Sequence, residues 1–486
     1  MTWPTFLPFT PEQFVLVLLL PVMIILFAQN LVYIVQLVAT FRERATEPTR
    51  VGTKRDLWRL QSRQSLAVSI IAPAYNEELT IVDSVRSLLS VNYPNFEVIV
   101  VNDDSRDATL DILIREFNMV PRSRNILAEL NHKPIRRVYA SIDHPNLVVV
   151  DKENGRKADA TNAGLAVARN PLVCVIDADS LIDEDAMLRA TQPFLGDDGS
   201  IIAVGGSIRL TNGCEINGGR LDRLSMPREW IARFQILEYL RAFLVARVSA
   251  SRWGMLMLIS GAFGLFRRDA LIEIGGFDHD SRAEDLELVV RLHRKAREEG
   301  RKSKVIYIGD AVCWTEAPFN YSGIRNQRTR WTQGGLEVLW KHRIMLFNKR
   351  YGRIGALGLP MVLLETALVP VAEIIGYALT PALLYLGMSS GWWLAGMLVA
   401  SLLFGTLISL GALAIEEAQM RQHESLRDVA MLAFCCFAEN IGYRQLNAWF
   451  RLKGIRAYLK GETGWLAVER QGFEVYKSRA KRAGSP

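Results

Sequence analysis

No charged side chain occurs between Phe14 and Phe41. That run exceeds the roughly 20 residues a helix needs to cross a bilayer. It is too long for a signal-peptide core, and no small-residue cleavage site follows it. A membrane-spanning helix is the expectation. Arg42 and Arg44 follow the run, whereas no Lys or Arg precedes Phe14. The positive-inside rule then puts the N-terminus outside and Arg42 in the cytoplasm. A second stretch, Ile354 to Ile415, carries only Glu365 and Glu373 as charges and divides near Ser389–Gly391. Its first part is interrupted by Pro360, Pro370 and Pro381. A third, weaker segment runs from about Val429 into Glu439 and Tyr443, and its uncharged part is short for a span. Three spans after residue 353 would leave the tail outside. Yet Arg451, Lys453, Arg456, Lys460, Lys477, Arg479, Lys481 and Arg482 argue for inside. Either the last segment is re-entrant, or the proline-interrupted one lies partly in the interface.

The charged region between these stretches accounts for a composition that is half hydrophobic and still 22% charged. The net charge of +7 suits anionic lipid, an anionic substrate or nucleic acid. No aromatic–basic RNA-binding signature is present, so lipid and phosphate are expected and nucleic acid is not. The five cysteines, Cys174, Cys214, Cys313, Cys435 and Cys436, show no C-x-x-C spacing. They read as buried small hydrophobes rather than a disulfide framework or zinc site.

Strand-like and helix-like patterns alternate from Leu66 onward. "LAVSIIAPAYN", "FEVIVVND", "NLVVVDK" and "PLVCVIDAD" are apolar runs that end in polar residues. "EELTIVDSVRSLLS", "SRDATLDILIREF" (with Ser105 as its cap) and "KADATNAGLAVA" have helical character. Alternation of this kind predicts a parallel sheet with helices on both faces and a ligand site at the strand ends. Tyr75, Asn76, Glu77, Asp103, Asp104, Asp151, Asp177 and Asp179 collect there.

Asp177 and Asp179 leave one strand together, and two such carboxylates can share a divalent cation with a diphosphate. Turn and capping acids are the plainer alternative, since Asp183, Glu184 and Asp185 follow. Asp103 or Asp104 could accept from a base or ribose, or simply cap a turn. Lys157 opens a helix after Gly155, where phosphate is favoured. Glu284 and Asp285 begin an amphipathic helix, as a general base or as caps. Gln327, Arg330 and Trp331 occur as Q-x-x-R-W, which places them on one helix face. That face offers an amide, a diphosphate-binding guanidinium and an indole plate. A basic helix lying against headgroups fits the same residues.

In this order, "APAYNEE", "VNDDSRDAT", "KADATNAG", "VIDAD", "ISGAFGLFRRDAL", "AEDLEL" and "QRTRW" resemble the membrane-bound, processive members of glycosyltransferase family 2. These are the cellulose, chitin, hyaluronan and poly-N-acetylglucosamine synthases. The resemblance runs from Ala72 to Trp331 and implies an α/β GT-A fold, a nucleotide-sugar-binding, Rossmann-like cytoplasmic domain, joined to an α-helical transmembrane region. It implies inverting transfer, dependent on Mg²⁺ or Mn²⁺, from a UDP-sugar to a growing polysaccharide. On the matching residues, Tyr75, Glu77 and Asp103 contact uridine, and Lys157, Asp177 and Arg330 the diphosphate. Asp179 is the more direct metal ligand, with Asp177 beside it. Asp285 is the catalytic base, and Ser260, Gly261, Glu284, Gln327 and Trp331 fall on the acceptor side. Ala283 and Asp104 depart from the pattern, which often has Thr or Gly before the acidic pair and Gly after Asp103. Poly-N-acetylglucosamine or chitin synthases are closer than cellulose synthases.

The expected organisation is a transmembrane helix at 1–41, the glycosyltransferase domain at 42–321 and interfacial helices at 322–353. Transmembrane or re-entrant helices follow at 354–450 and a basic tail at 451–486. The implied place is the inner (cytoplasmic) membrane, multi-pass, with the lipid bilayer and accessory export proteins as partners. Two alternatives stand: single addition to a lipid-linked acceptor, and an inactive transport or scaffold subunit.

Overall fold

A computed structural model of the chain describes residues 11–46, 58, 65–385, 391–420, 425–462 and 464. Ser389, Lys477, Arg479, Lys481 and Arg482 lie outside the described residues.

The central domain is built on a ten-stranded sheet. Its strands are β1 (Val68–Ala74), β2 (Phe96–Asp103), β3 (Met119–Pro121), β4 (Ile135–Ser141), β5 (Leu147–Lys152), β6 (Leu172–Ile176), β7 (Leu181–Ile182), β8 (Ile201–Leu210), β11 (Phe263–Arg267) and β12 (Lys304–Thr315). Two more, β9 (Glu215–Asn217) and β10 (Arg220–Arg223), form a separate hairpin. The order is β3-β4-β5-β2-β1-β6-β11-β8-β12-β7. The apolar runs of β1, β2, β5 and β6 pair in parallel and are buried, as strands covered on both faces must be. Helices α2 (Ile81–Leu89), α3 (Thr109–Glu116) and α4 (Arg156–Val167) make the crossovers.

The all-parallel expectation fails beyond β6. β11 runs antiparallel to both β6 and β8. After β8 the chain makes the β9–β10 hairpin and helix α5 (Trp230–Leu240), then re-enters the sheet from the opposite end. β4 is also antiparallel to β5. Ser105 does not cap α3: its Oγ accepts from the Asn76 N–H at 3.0 Å. The first amide of α3, from Thr109, donates to Asp107 Oδ1 at 3.0 Å instead.

Helices α6 (Glu284–Glu298) and α7 (Tyr321–Lys341) complete the domain. The Asn320 side chain caps α7 by accepting from the Gly323 N–H at 2.8 Å. Around the domain stand α1 (Pro11–Thr46), α8 (Val369–Tyr385), α9 (Gly391–Met420), α10 (Leu426–Ala438) and α11 (Tyr443–Leu459). Among the described residues three stretches are long and apolar enough to cross a membrane: Leu19–Glu43, Ile354–Tyr385 and Val399–Ala418. The second begins with two π-helical segments, Ile354–Gly358 and Leu364–Leu368. Pro360 and Pro370 lack the N–H that a regular helical ladder would use there. With 13 residues, α10 reaches only about 20 Å, short of a hydrocarbon core. As a helix the weak third segment is therefore shorter than a span requires, and α11 after it packs along α7 of the sheet domain.

Candidate active site

The site forms where β1, β2, β5 and β6 end. Three non-glycine residues near this pole hold left-handed backbone angles: Asn76 (φ 57°), Asp104 (φ 62°) and Arg156 (φ 72°). Such conformations persist only where surrounding bonds fix them. Asn76 Oδ1 accepts from the Arg106 N–H at 2.8 Å, and the Glu77 N–H donates to Thr109 Oγ1 at 2.8 Å. The loops after β1 and β2 are thereby braced together. Tyr75 stands exposed on that rim. Asp104 tolerates a conformation that glycine adopts more readily, which accounts for that departure from the family pattern; it pairs with Arg136.

Asp103 is buried, and both its oxygens are engaged. Oδ1 accepts from Lys152 Nζ at 2.7 Å and from the Gly155 N–H at 3.0 Å, while Oδ2 accepts from the Arg156 N–H at 2.8 Å. Burial pushes the Asp103 carboxyl up, against the pull of Lys152 and these amides. Asp103 thus fixes the start of α4, the helix that carries Lys157. Lys152, fully buried, also pairs with Asp159 at 2.5 Å. His279 Nδ1 lies 3.1 Å from the other Asp159 oxygen. Neither Lys152 nor Asp159 stood out in the sequence, because a lysine after an apolar run reads as solvated.

Lys157 is the hub of the site. Its Nζ lies 2.6 Å from Asp177 Oδ1, 3.4 Å from Glu284 Oε1 and 3.4 Å from the Gly261 carbonyl. The Gly261 N–H in turn donates to Asp285 Oδ2 at 3.1 Å. Five expected residues, from four separate segments, therefore meet around one ammonium. Burial works against the Lys157 charge, but the Asp177 and Glu284 carboxylates overcome it and hold Lys157 above the usual lysine range. Burial and then the neighbouring Glu284 charge raise Asp285, with Lys157 opposing. A carboxylate raised in this way is a better proton acceptor. Ser260 sits beside Gly261, its Oγ accepting from the Ala262 N–H at 3.4 Å.

The Q-x-x-R-W stripe runs along α7. Gln327, Trp331 and Gly334 follow at i, i+4 and i+7, with Arg330 beside them. Gly334 meets the turn before the acidic pair. A Cβ placed there would lie 2.6 Å from Ala283 Cβ and 2.9 Å from Ala283 N. The stripe is thus seated directly against the residue preceding Glu284 and Asp285. Trp331 is 43% exposed, and the Arg328 guanidinium lies over its ring, 4.6 Å from the centroid.

For a cation, the residues present supply a pair rather than a cage. Among the described residues no group of three or more His, Cys, Asp or Glu gathers to hold a metal. Asp177 is partly exposed and Asp179 buried, and they are two residues apart just after β6. Two carboxylates at one strand end are the oxygen donors that a hard divalent ion takes, with phosphate oxygens and water to complete its shell.

Residues 69–275 match the family Glycosyl transferase family 2. The match ends before Glu284. The chain is 32% identical over 280 residues to a poly-β-1,6-N-acetyl-D-glucosamine synthase of Staphylococcus epidermidis, covering 57% of each chain. It is 29% identical over 273 residues to the same-named protein of Staphylococcus aureus strain COL, covering 56% of this chain and 55% of that one. The chain thus spans little more than half the length of these relatives. Among solved structures, a mannosyltransferase of Pyrobaculum calidifontis, in complex with GDP-Man and Mn²⁺, superposes with a TM-score of 0.54 at 19% identity. That alignment covers 92% of this chain and 100% of that one and speaks for the fold. Strand order, the matched segment and the curated relatives agree: residues 69–275 are similar to the glycosyltransferase domain of glycosyltransferase family 2.

Proposed function

We propose that the chain is an inverting β-glycosyltransferase that takes sugar from a UDP-sugar and extends an exopolysaccharide processively, with UDP-GlcNAc the favoured donor and UDP-Glc the second. The observation that carries this is the junction at Lys157, where Asp177, Glu284, Gly261 and Asp285 converge beside the Gly334 seat of the Q-x-x-R-W stripe. The names of the staphylococcal relatives favour N-acetylglucosamine.

In this reading Asp285 takes the proton of the acceptor hydroxyl. The freed oxygen attacks the anomeric carbon from the face opposite UDP, the bond from that carbon to the diphosphate breaks, and configuration inverts. Lys157 and Arg330 neutralise the departing diphosphate. Asp177 and Asp179 would hold Mg²⁺ or Mn²⁺, which adds positive charge beside the same diphosphate. Tyr75 and Glu77 line the uridine side, with Asp103 fixing the helix beneath it. Gln327 and Trp331 meet the acceptor with Ser260 and Glu284.

Export through the chain's own helices belongs to the same proposal. Gln29 and Gln36, both buried, lie on α1 within its uncharged run. Arg451 Nη1 donates to the Glu365 carbonyl at 3.3 Å. Arg247 stands within electrostatic reach of both Asp285 and Glu365. Polar groups within a bilayer face protein or water rather than lipid, and these would mark a sugar path. With α10 short, two spans after the domain return α11 to the cytoplasmic side, in keeping with its basic residues.

The test is the purified chain in detergent with radiolabelled UDP-sugars and Mg²⁺ or Mn²⁺. UDP-GlcNAc is expected to yield high-mass product. A single added sugar would refute processivity, and no transfer from any donor would refute the enzyme.

A further inference from the structure

Arg328 lies inside "QRTRW" but points away from the diphosphate role given to Arg330. It is 5% exposed and pairs with Glu238 of α5. Glu238 is a shared acceptor. The Tyr443 hydroxyl donates to its Oε2 at 3.0 Å, and Asn447 Nδ2 donates to its Oε1 at 3.0 Å. One carboxylate therefore holds α5, α7 and α11 together. The Arg328 guanidinium meanwhile lies over the indole of Trp331. A cation at that distance is attracted to the ring face and favours one ring orientation. An indole that is 43% exposed, with a guanidinium over its ring, still presents surface to a ligand.

We propose that Glu238 and Arg328 are positioning residues that set the plane of Trp331, so that its ring meets the acceptor sugar edge-on or face-on in one fixed attitude. This rests on Trp331 being the acceptor platform. Glu238 orients Arg328, Arg328 orients the indole, and neither touches the reacting atoms. A merely structural ion pair would bind the three helices equally well but would not discriminate acceptor from donor.

The experiment uses the full chain in detergent, with UDP-GlcNAc as donor and N-acetylglucosamine oligosaccharides as acceptor. Arg328→Lys keeps a positive charge for Glu238 but removes the flat guanidinium. It is expected to raise the acceptor KM about fivefold to tenfold, with UDP affinity and donor KM unchanged. Glu238→Gln keeps the shape of the side chain and is expected to move the acceptor KM in the same direction. An unchanged acceptor KM in both folded variants overturns the proposal, and so does a parallel loss of UDP affinity. A second readout does not need turnover. In 5-fluorotryptophan-labelled protein, the Trp331 ¹⁹F resonance, assigned through Trp331→Phe, is expected to shift in both variants. A resonance that stays put in both overturns the positioning role. Absence of transfer by the unsubstituted chain would instead sink the enzymatic reading, with the resonance still deciding whether Arg328 orients the ring.

Discussion

Replacing Gly334 by alanine tests whether the Q-x-x-R-W helix and the acidic pair form one site. The new Cβ would stand 2.6 Å from Ala283 Cβ, 2.9 Å from Ala283 N and 3.1 Å from Arg282 C. Carbon–carbon contacts are comfortable at about 3.5–4.0 Å, so α7 and the turn must separate by roughly 1 Å. Two of the three opposing atoms are backbone and cannot rotate aside. Overpacking of this kind costs about 1–3 kcal/mol. Alanine returns up to about 1 kcal/mol of helix propensity, leaving a net loss of roughly 0–2 kcal/mol in stability. The effect on catalysis is larger, because an ångström of misplacement can cost on the order of a hundredfold in rate. The expected outcome is a protein with near-normal thermal unfolding and UDP binding, and a kcat for UDP release lowered by about tenfold to a hundredfold. Adding Ala283→Gly removes the 2.6 Å contact but not the two backbone ones, so rescue should be partial. Wild-type turnover in Gly334→Ala would show that α7 does not position the site.

In the proposed mechanism Asp285 acts in its ionised form, and its carboxyl is raised by burial and by Glu284. The acid limb of the kcat/KM profile should therefore lie above the ordinary aspartate value of about 3.9, and Glu284→Gln should move it to lower pH. Asp179→Asn should abolish most transfer without unfolding the chain, and EDTA should do the same to the unsubstituted protein; full activity in EDTA would dispose of the metal. Glu287 is buried, which opposes its charge, but His342, Arg291 and Lys341 pull it down to about 2. Its contribution to stability is complete above the unfolded value of about 4.3 and is lost as pH falls toward 2. Glu287→Ala should lower stability by about 3–5 kcal/mol, read by thermal unfolding at neutral pH. In sealed inverted vesicles, product should be protected from added glycosidase, and replacing Glu365 and Glu373 by leucine should shorten or strand it with UDP-sugar binding intact; fully digestible product would mean that another protein provides the path.

What could be read from the sequence was chiefly what local pattern encodes. The buried runs of β1, β2, β5 and β6 and the acids at their ends needed only periodicity and composition. So did the start of α6 at Glu284 and the shared face of Gln327 and Trp331. The direction of β11 depended on how the chain returned after the β9–β10 hairpin, which no window around Phe263–Arg267 contains. Ser105 looked like a cap, yet the loop after β1 claimed it. Lys152 carries no local sign of burial, yet Asp103 and Asp159 make its burial tolerable. Glu238 meets Tyr443 and Asn447 from more than two hundred residues away, and such pairings carry no local trace. The number of spans hinged on the length of α10, where Glu439 and Arg444 blur the boundary.

The packing of α11 along α7 also dictates an order of assembly. Gly454 lets α11 come so close that a Cβ there would lie 2.7 Å from Thr332 Cβ and 2.9 Å from the Thr329 carbonyl. Phe450 and Tyr443 cover Ile324 from the same side. All three contacts are made by residues that leave the ribosome after both spans following the sheet domain. Until those spans are seated in the bilayer, the back of the Q-x-x-R-W helix is bare and Glu238 lacks two of its donors. A nascent chain can therefore fold its sheet domain early, while the back of the Q-x-x-R-W helix is covered only when the last helix docks.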